Sequence, residues 1–414
     1  MNTEQKNNKN SLLFVVILGA LTAIGALSID MFLPGLPEIK NDFSTTTANA
    51  QLTLSLFMIG LGLGNLFVGP ISDSVGRKKP LIIALVIFTL ASLGIVFVHN
   101  IWLMVFLRFV QGFTGGAAAV ISRAVASDMY RGNELTKFLA LLMLVNGVAP
   151  VIAPALGGLI LSVSVWRMVF IILTIFGVLM VVGSLFKVPE SLAVEQRDTS
   201  GIGVIFKNFK SLLTTPRFVL PMLIQGVTFI MLFSYISASP FLVQKIYGVS
   251  PLHFSWMFAG IGITLIISSQ LTGKLVDYFH PQLLLRALTI IQVVGVIVVA
   301  LTLLNHWHFA FLVIGFIILV APVTGVATLG FSIAMEERTT GSGSASSLLG
   351  LLQSLLGGVV TPLVNLKGEY DSSPYIIIIS ITAILLIILQ ILNIRVFKTK
   401  GAGQKSREYD RNLM

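Results

Sequence analysis

No cysteine occurs among the 414 residues, and charged side chains make up only 11% of them. The first absence excludes a disulfide framework and thiol chemistry. The second excludes an ordinary water-soluble domain: with 55% hydrophobic residues, too few polar side chains remain to cover a folded surface. Also missing are a Gly-x-x-x-x-Gly-Lys-Ser/Thr phosphate loop, a His-Glu-x-x-His pair and any polar domain large enough for ATP. Any work the protein does must therefore draw on an ion gradient rather than on bound nucleotide. The five histidines fall near loops, and His306 with His308 makes an incomplete metal site, so no metal and no cofactor is expected.

What the chain does have is long apolar runs. They are continuous, without the two-residue alternation of a β-barrel, and at roughly 20 residues per crossing they fit about twelve helices. These are expected near 12–34, 49–69, 80–98, 102–124, 137–163, 166–187, 218–240, 252–275, 284–304, 309–331, 343–366 and 374–397. The expected fold is all-α, with two pseudo-symmetric six-helix bundles over 12–187 and 218–397. A polar linker, 188–217, joins them, and tails cover 1–11 and 398–414. An even number of crossings puts both termini on one side. Only Lys40, Arg167, Lys245 and Lys367 fall on the other side and Arg108 lies within a run, so 22 of the 27 Lys and Arg are on the terminal side. By the positive-inside rule that side is cytoplasmic, in a bacterial inner membrane. Topology thus accounts for the net charge of +10, and nucleic acid is not an expected partner. The first run lacks a small-residue cleavage site and is read as a retained helix.

The chain repeats itself. Gly69-Pro-Ile-Ser-Asp73-Ser-Val-Gly76-Arg77-Lys78-Lys79-Pro-Leu81 is expected as a charged hairpin between the second and third runs, and Gly273-Lys-Leu-Val-Asp277 repeats its opening. Asp73 and Asp277 stand 204 residues apart, Pro154 and Pro362 208 apart. Parallel repeats of this kind suit two bundles that rock about a mid-membrane cavity. In the fifth run Gly147, Pro150, Pro154 and Gly158 recur along one helical face, where proline removes backbone hydrogen bonds and bends a helix.

These residues carry a resemblance. Gly69, Asp73, Gly76, Arg77, Lys78 and Leu81 resemble the cytoplasmic signature of the major facilitator superfamily. Arg108, Gln111, Gly112 and Gly115 resemble its fourth-helix signature. Ala153-Pro154-Ala-Leu-Gly157-Gly158 resembles its antiporter signature, with Ala for the first glycine. The stretches 28–37, 122–130 and 343–350 look like the bicyclomycin/chloramphenicol-resistance branch of the drug:proton antiporters. The resemblance implies a monomeric transporter in the lipid bilayer that exchanges protons for a small-molecule substrate. It also implies that the loop acts as a conformational latch, in which Asp73 caps the start of the eleventh helix and Asp277 is a weaker twin. Ser74 stands where that signature has arginine, which weakens the latch or leaves Arg77 and Lys78 to serve it.

Burying a charge in a bilayer costs about 2.5–3.5 kcal/mol on insertion scales, so each charge inside a run needs a reason. Asp30 is the only carboxylate clearly inside one, and Arg108 the only cation. Counted along the helices, both are expected some 6–9 Å below the non-terminal boundary, sharing a cavity or pairing directly. Asp30 is the expected proton carrier: desolvation favours the neutral carboxyl and a nearby guanidinium the ionised one. Two alternatives stand beside this, a structural ion pair and an aspartate that merely ends its helix. Thr22 occupies the place where some relatives carry a further acid. Arg108 is read either as a cavity group or as an anchor on a small-residue face.

Arg123 and Asp128 are expected as a cytoplasmic gate or interface pair, with positive-inside decoration as an equal alternative. Candidate cavity residues are Gln51, Ser55, Gln111, Asn146, Gln225, Phe229, Phe233, Tyr235 and Trp256. The function expected is proton-driven export of small amphipathic compounds, with export of an endogenous metabolite as the nearest alternative. A membrane enzyme on lipid-linked substrates would need more intramembrane acids than one, and a transporter-like sensor would bind without moving its ligand.

Overall fold

The computed structural model describes residues 12–130, 132–197, 202–337 and 342–411, and within these ranges the side chains of Asn146 and Pro150 lie outside the described residues. Everything described is helix, turn or coil, with no strand among the described residues. Eleven helices are long and apolar enough to cross a membrane, and the 32-residue helix Gly132–Val163 lies between the fourth and fifth of them. The protein thus has twelve spans, as the apolar runs require. Spans 1–4 are Leu13–Asp42, Thr47–Val75, Lys78–Val96 and Ile101–Met129; span 5 is Gly132–Val163 and span 6 Arg167–Lys187. Spans 7–12 are Pro216–Ile246, Pro251–Leu275, Pro281–Leu304, Phe309–Glu336, Ala345–Leu363 and Ser373–Phe397. The face on which span 1 begins is called the terminal face below.

Two local expectations are corrected. Residues 69–75 do not form a hairpin; they continue span 2 as helix through Pro70, and only Gly76 and Arg77 separate it from span 3. Gly76 makes this turn possible, since its φ of 103° lies where L side chains are strained. Span 1 does not stop at Pro34 either. Its first helix, Leu12–Asp30, breaks at Met31-Phe32 and resumes as a 3-10 turn, Leu33–Gly35, and a short helix, Leu36–Asp42. Pro34 and Pro37 lack amide hydrogens and cannot continue the helical ladder.

By contacts the chain divides into two compact units. The first comprises 1–203 with 233–263 and 354–375, the second 204–232 with 264–353 and 376–414. In the first, spans 2 and 4 cross with backbones touching: Cβ atoms on Gly60 and Gly64 would strike Phe109 and Phe113, and on Gly112 and Gly116 would strike Phe57 and Leu61. Small residues at a helix crossing permit this approach. Beside it, Phe14, Leu18 and Ile24 of span 1 pack with Leu85 and Phe88 of span 3 and Ala118 and Ile121 of span 4.

The second unit uses polar ties as well as close packing. Gly295 of span 9 lies against the backbone of Leu319 in span 10. The Gln390 amide of span 12 donates to Leu285 O at 3.2 Å and Thr289 Oγ1 at 2.7 Å, and Asn393 donates to Gln282 Oε1 at 2.7 Å. Such side-chain bonds between spans replace the water that lipid does not supply.

Candidate functional site

Asp30 is the last residue of the first helix of span 1, at the break itself. It is 5% exposed, and no hydrogen bond or ion pair reaches its carboxylate among the described residues. The sequence expectation put it four residues from the end of its span, but twelve residues follow it to Asp42, about 18 Å at helical rise. It is therefore a buried group in the interior of its segment.

Its surroundings come from three other segments of the same unit. The phenol of Tyr235, on span 7, lies within electrostatic range of Asp30 and of Tyr375 on span 12. Tyr235 stacks on Phe258 of span 8 with ring centroids 5.3 Å apart, and Phe254 lies 5.7 Å from Phe258. The Tyr375 hydroxyl and the Ser28 hydroxyl are both buried without a hydrogen-bond partner. An unpaired carboxyl, the phenols of Tyr235 and Tyr375 and a set of aromatic faces thus gather where span 1 is broken. Discontinuous helices with free backbone ends commonly build ion and substrate sites.

Arg108 is different in every respect. It is fully buried on span 4, its Nε donates to Thr53 O at 3.2 Å, and its Nη1 donates to Gln111 Oε1 at 2.6 Å. Gln111 in turn donates to Ser92 Oγ at 2.7 Å. Three rings face the guanidinium, Phe32 at 4.2 Å, Phe57 at 4.4 Å and Phe170 at 5.6 Å from its carbon. Each close face contributes about 2 kcal/mol where the cation is desolvated. The direct Asp30–Arg108 pair considered from sequence is not formed: Phe32, two residues beyond Asp30, occupies the face of the guanidinium instead. Gln111, expected in a cavity, spends its amide on this network.

Other expected cavity residues are tied up or turned away. The Gln51 amide donates to Ser237 O at 3.0 Å, and the Ser55 hydroxyl donates to Gly358 O. Phe233 packs against Gly357 beside Met58. Gln225 and Phe229 belong to the second unit, where Gln225 packs on Gly330. Trp256 is 57% exposed and lines an apolar groove with Leu156, Leu159 and Ile263. It faces the lipid side of its helix.

On span 5, Pro154 is buried, and the two glycines after it have distinct uses. A side chain on Gly157 would strike the carbonyl of Met31, and one on Gly158 would strike Ser255. Gly157 thus lets span 5 lie directly against the break in span 1, and Gly158 lets it lie against span 8.

At the terminal face Arg77 gathers a cluster. Its Nη1 lies 2.5 Å from Asp73 Oδ1, its Nε 3.0 Å from Asp128 Oδ2, and its Nη1 also donates to Ser72 Oγ at 2.8 Å. Asp128 is therefore not paired with Arg123. Five residues apart on a helix the two point about 140° away from each other, and Arg123 donates to Ala119 O and Asn65 Oδ1 instead.

Two members of the cluster were missed from sequence. The Glu190 carboxylate accepts from the amides of Arg77 at 2.8 Å and Lys78 at 3.2 Å, closing the N-terminus of span 3, and Ser191 Oγ donates to Asp128 at 2.7 Å. The only signal was a Pro-Glu-Ser following the apolar sixth run, uninformative until the fold brings it 113 positions back to Arg77. Asp277, the repeat copy, is exposed and carries no ion pair among the described residues.

Comparison with known proteins agrees with this architecture. A family model described as Major Facilitator Superfamily matches residues 18–362. An uncharacterized MFS-type transporter, YdgK of Bacillus subtilis, is 39% identical over 91% of this chain and 94% of its own length. A bicyclomycin resistance protein homolog of Haemophilus influenzae is 30% identical over 86% and 89%. Among solved structures, a D-xylose-proton symporter superposes with a TM-score of 0.73 over 92% of this chain and 97% of that one, at 15% identity, a likeness of fold alone.

Proposed function

Because the chain belongs to the Major Facilitator Superfamily, we propose that it is a proton-coupled antiporter exporting small amphipathic compounds, antibiotics among them, by alternating access. The observation that carries this reading is Asp30: one buried carboxyl without a partner, at the break of a discontinuous span and beside aromatic rings. An acid in such a place can hold a proton when nothing else is bound and surrender it to a competing substrate. Tyr235, Phe258, Phe254 and Tyr375 supply apolar faces with a few polar tips, the usual make-up of a small-molecule pocket. The relative named as a bicyclomycin resistance protein homolog favours an antibiotic as cargo.

The remaining assignments follow. Substrate and proton compete at Asp30 and use it in turn, one in each direction. Arg77, Asp73, Asp128 and Glu190 form the latch of the terminal face, whose breaking accompanies the change of access. That face is cytoplasmic on the Lys/Arg distribution, in a bacterial cell membrane. The two six-helix halves joined by 188–217 are the moving bodies, and one chain suffices.

The test is reconstitution in sealed vesicles with a pH-sensitive dye inside. A panel including chloramphenicol, ethidium and tetraphenylphosphonium is offered, together with small peptides and sugars as metabolite probes. Proton movement evoked by at least one amphipathic drug and lost in Asp30→Asn supports the proposal. Proton movement evoked only by the metabolite probes overturns the drug assignment, and substrate uptake indifferent to a pH gradient overturns antiport.

A further inference from the structure

Resting on the proton-carrier reading of Asp30, we infer that Gln244, Glu369 and Lys40 are positioning residues of a gate that closes over Asp30 from the face opposite the termini. The moving element is the short segment 33–42 that follows the break in span 1.

Segment 31–42 is pegged on two sides. On one side Phe32 lies on Arg108, the Met31 carbonyl fits against Gly157, and Gly35 packs on Trp166 and Leu161. Asp42 there receives Arg167 Nη1 at 2.5 Å and Trp166 Nε1 at 3.1 Å. These contacts join it to spans 4, 5 and 6. On the other side the polar contacts among the described residues are a hydrogen bond and a shared ion pair. Gln244 Nε2, from the wide-turned end of span 7, donates to Pro34 O at 3.1 Å. Lys40 Nζ meets Glu369 Oε1 at 3.3 Å, and Lys245 Nζ approaches the other oxygen at 4.0 Å.

The two sets differ in chemistry. The first is apolar, aromatic and backbone-to-backbone at its core, and gives way only with the packing around it. The second consists of one amide bond to a carbonyl and one carboxylate shared by two lysines. Water reaches all three charged side chains, 24% exposed at Lys40, 25% at Lys245 and 12% at Glu369, so these contacts part at little cost. Their number is also self-limiting, because without Glu369 the two lysines repel each other across the seam.

A hinge for the movement is present. The backbone ladder is interrupted at Met31-Phe32, and Pro34 contributes no amide hydrogen. When Gln244 and Glu369 let go, segment 33–42 moves together with spans 4–6, away from the end of span 7, and the seam over Asp30 opens. Gln244 and Glu369 touch neither proton nor substrate; they act by deciding when Asp30 is reachable.

The chain lacks cysteine, so one engineered thiol reports cleanly. Ala26→Cys places it one helical turn before Asp30, on the same face of the helix. A membrane-impermeant maleimide is applied to the non-terminal face of reconstituted vesicles, with thermal stability followed on the same preparation. Combining Gln244→Ala with Glu369→Gln is expected to raise the labelling rate at least about fivefold, the scale of one hydrogen bond and one ion pair lost. With Gln244 kept, the exchanged pair of charges, Glu369→Lys against both Lys40→Glu and Lys245→Glu, is expected to return it close to the parental rate.

A second readout, substrate-free proton leak, should rise in the open variant and vanish when Asp30→Asn is added, which a merely structural role for Glu369 would not produce. Unchanged labelling in variants of parental stability overturns the gate, as does fast labelling that the exchanged pair fails to slow. Labelling does not depend on Asp30 carrying a proton. If coupled transport survives Asp30→Asn, the function proposed above fails while the gate is still decided by its own rates.

Discussion

Asp30 and Arg108 are the two most buried charged side chains among the described residues, and they are housed in opposite ways. Arg108 sits in an unbroken helix with two hydrogen-bond partners and aromatic rings on its faces. Asp30 sits at a helix break with no partner at all among the described residues. Arg108 is held through two of its nitrogens and by ring faces, with Nη2 alone buried and unbonded, and removing it leaves its partners stranded. An unpaired acid can exchange its proton without dismantling its surroundings. One group is built to hold spans 2, 4 and 6 together with the broken span 1, the other to change state, and substitution should separate the two.

The largest effect is expected for Asp30→Asn, which should cut gradient-driven transport about 100-fold or more while leaving thermal stability near the parental value, since no bond is lost. Vesicle transport and a melting curve on one preparation check both halves. Arg108→Ala should do the converse, costing about 2–4 kcal/mol through the emptied space and stranded Gln111. Whatever folded protein remains should keep an unshifted pH–activity profile. A profile displaced from the parental one would mean that the two charges are coupled across Phe32 after all. Lysine should rescue poorly, because it lacks the planar fork that bonds Thr53 and Gln111 together.

Smaller effects are expected at the membrane faces, where carboxylates are paired but wet. Arg77→Ala removes the hub of the terminal cluster and should lower transport about three- to tenfold, the scale of a partly exposed ion-pair network. Paired cysteine probes on the two faces should report a shifted access equilibrium. Asp277→Asn, which breaks no ion pair, should change the same measurements by less than about twofold.

The smallest effect concerns Asp371. Its carboxylate accepts from the Ser373 amide at 2.8 Å, and the Ser373 hydroxyl and amide hold its pKa below the usual carboxylate value. A depressed pKa contributes stability above about pH 4 that is lost as pH falls through the folded value. Asp371→Ala should therefore lower the melting temperature slightly at neutral pH and show no difference from the parent in strong acid, by melting temperature against pH.

Much of this was legible in the chain. The apolar runs give the twelve spans because lipid tolerates no unpaired backbone, and Gly60, Gly64, Gly112 and Gly116 foreshadow a close crossing by their spacing alone. Asp73 and Arg77 stand one helical turn apart, so their pairing follows once the segment is seen to be helix rather than loop. The break after Asp30 was concealed, since Met31, Phe32, Leu33 and Leu36 continue the apolar run and only the two prolines mark it. The cage of Arg108 was out of reach in another way. Phe32, Phe57 and Phe170 come from three spans, and nothing local distinguishes them from other phenylalanines. Glu190 and Glu369 likewise gain meaning only from partners far away in the chain.

The central claim, that Asp30 carries the exchanged proton, is met most directly by infrared difference spectroscopy of the reconstituted protein through a pH titration. A carboxylic-acid C=O band is expected in the parent, missing in Asp30→Asn, whose loss with rising pH follows the same curve as transport. Two proteins with indistinguishable carboxyl bands, or a band whose titration runs independently of transport, would contradict it.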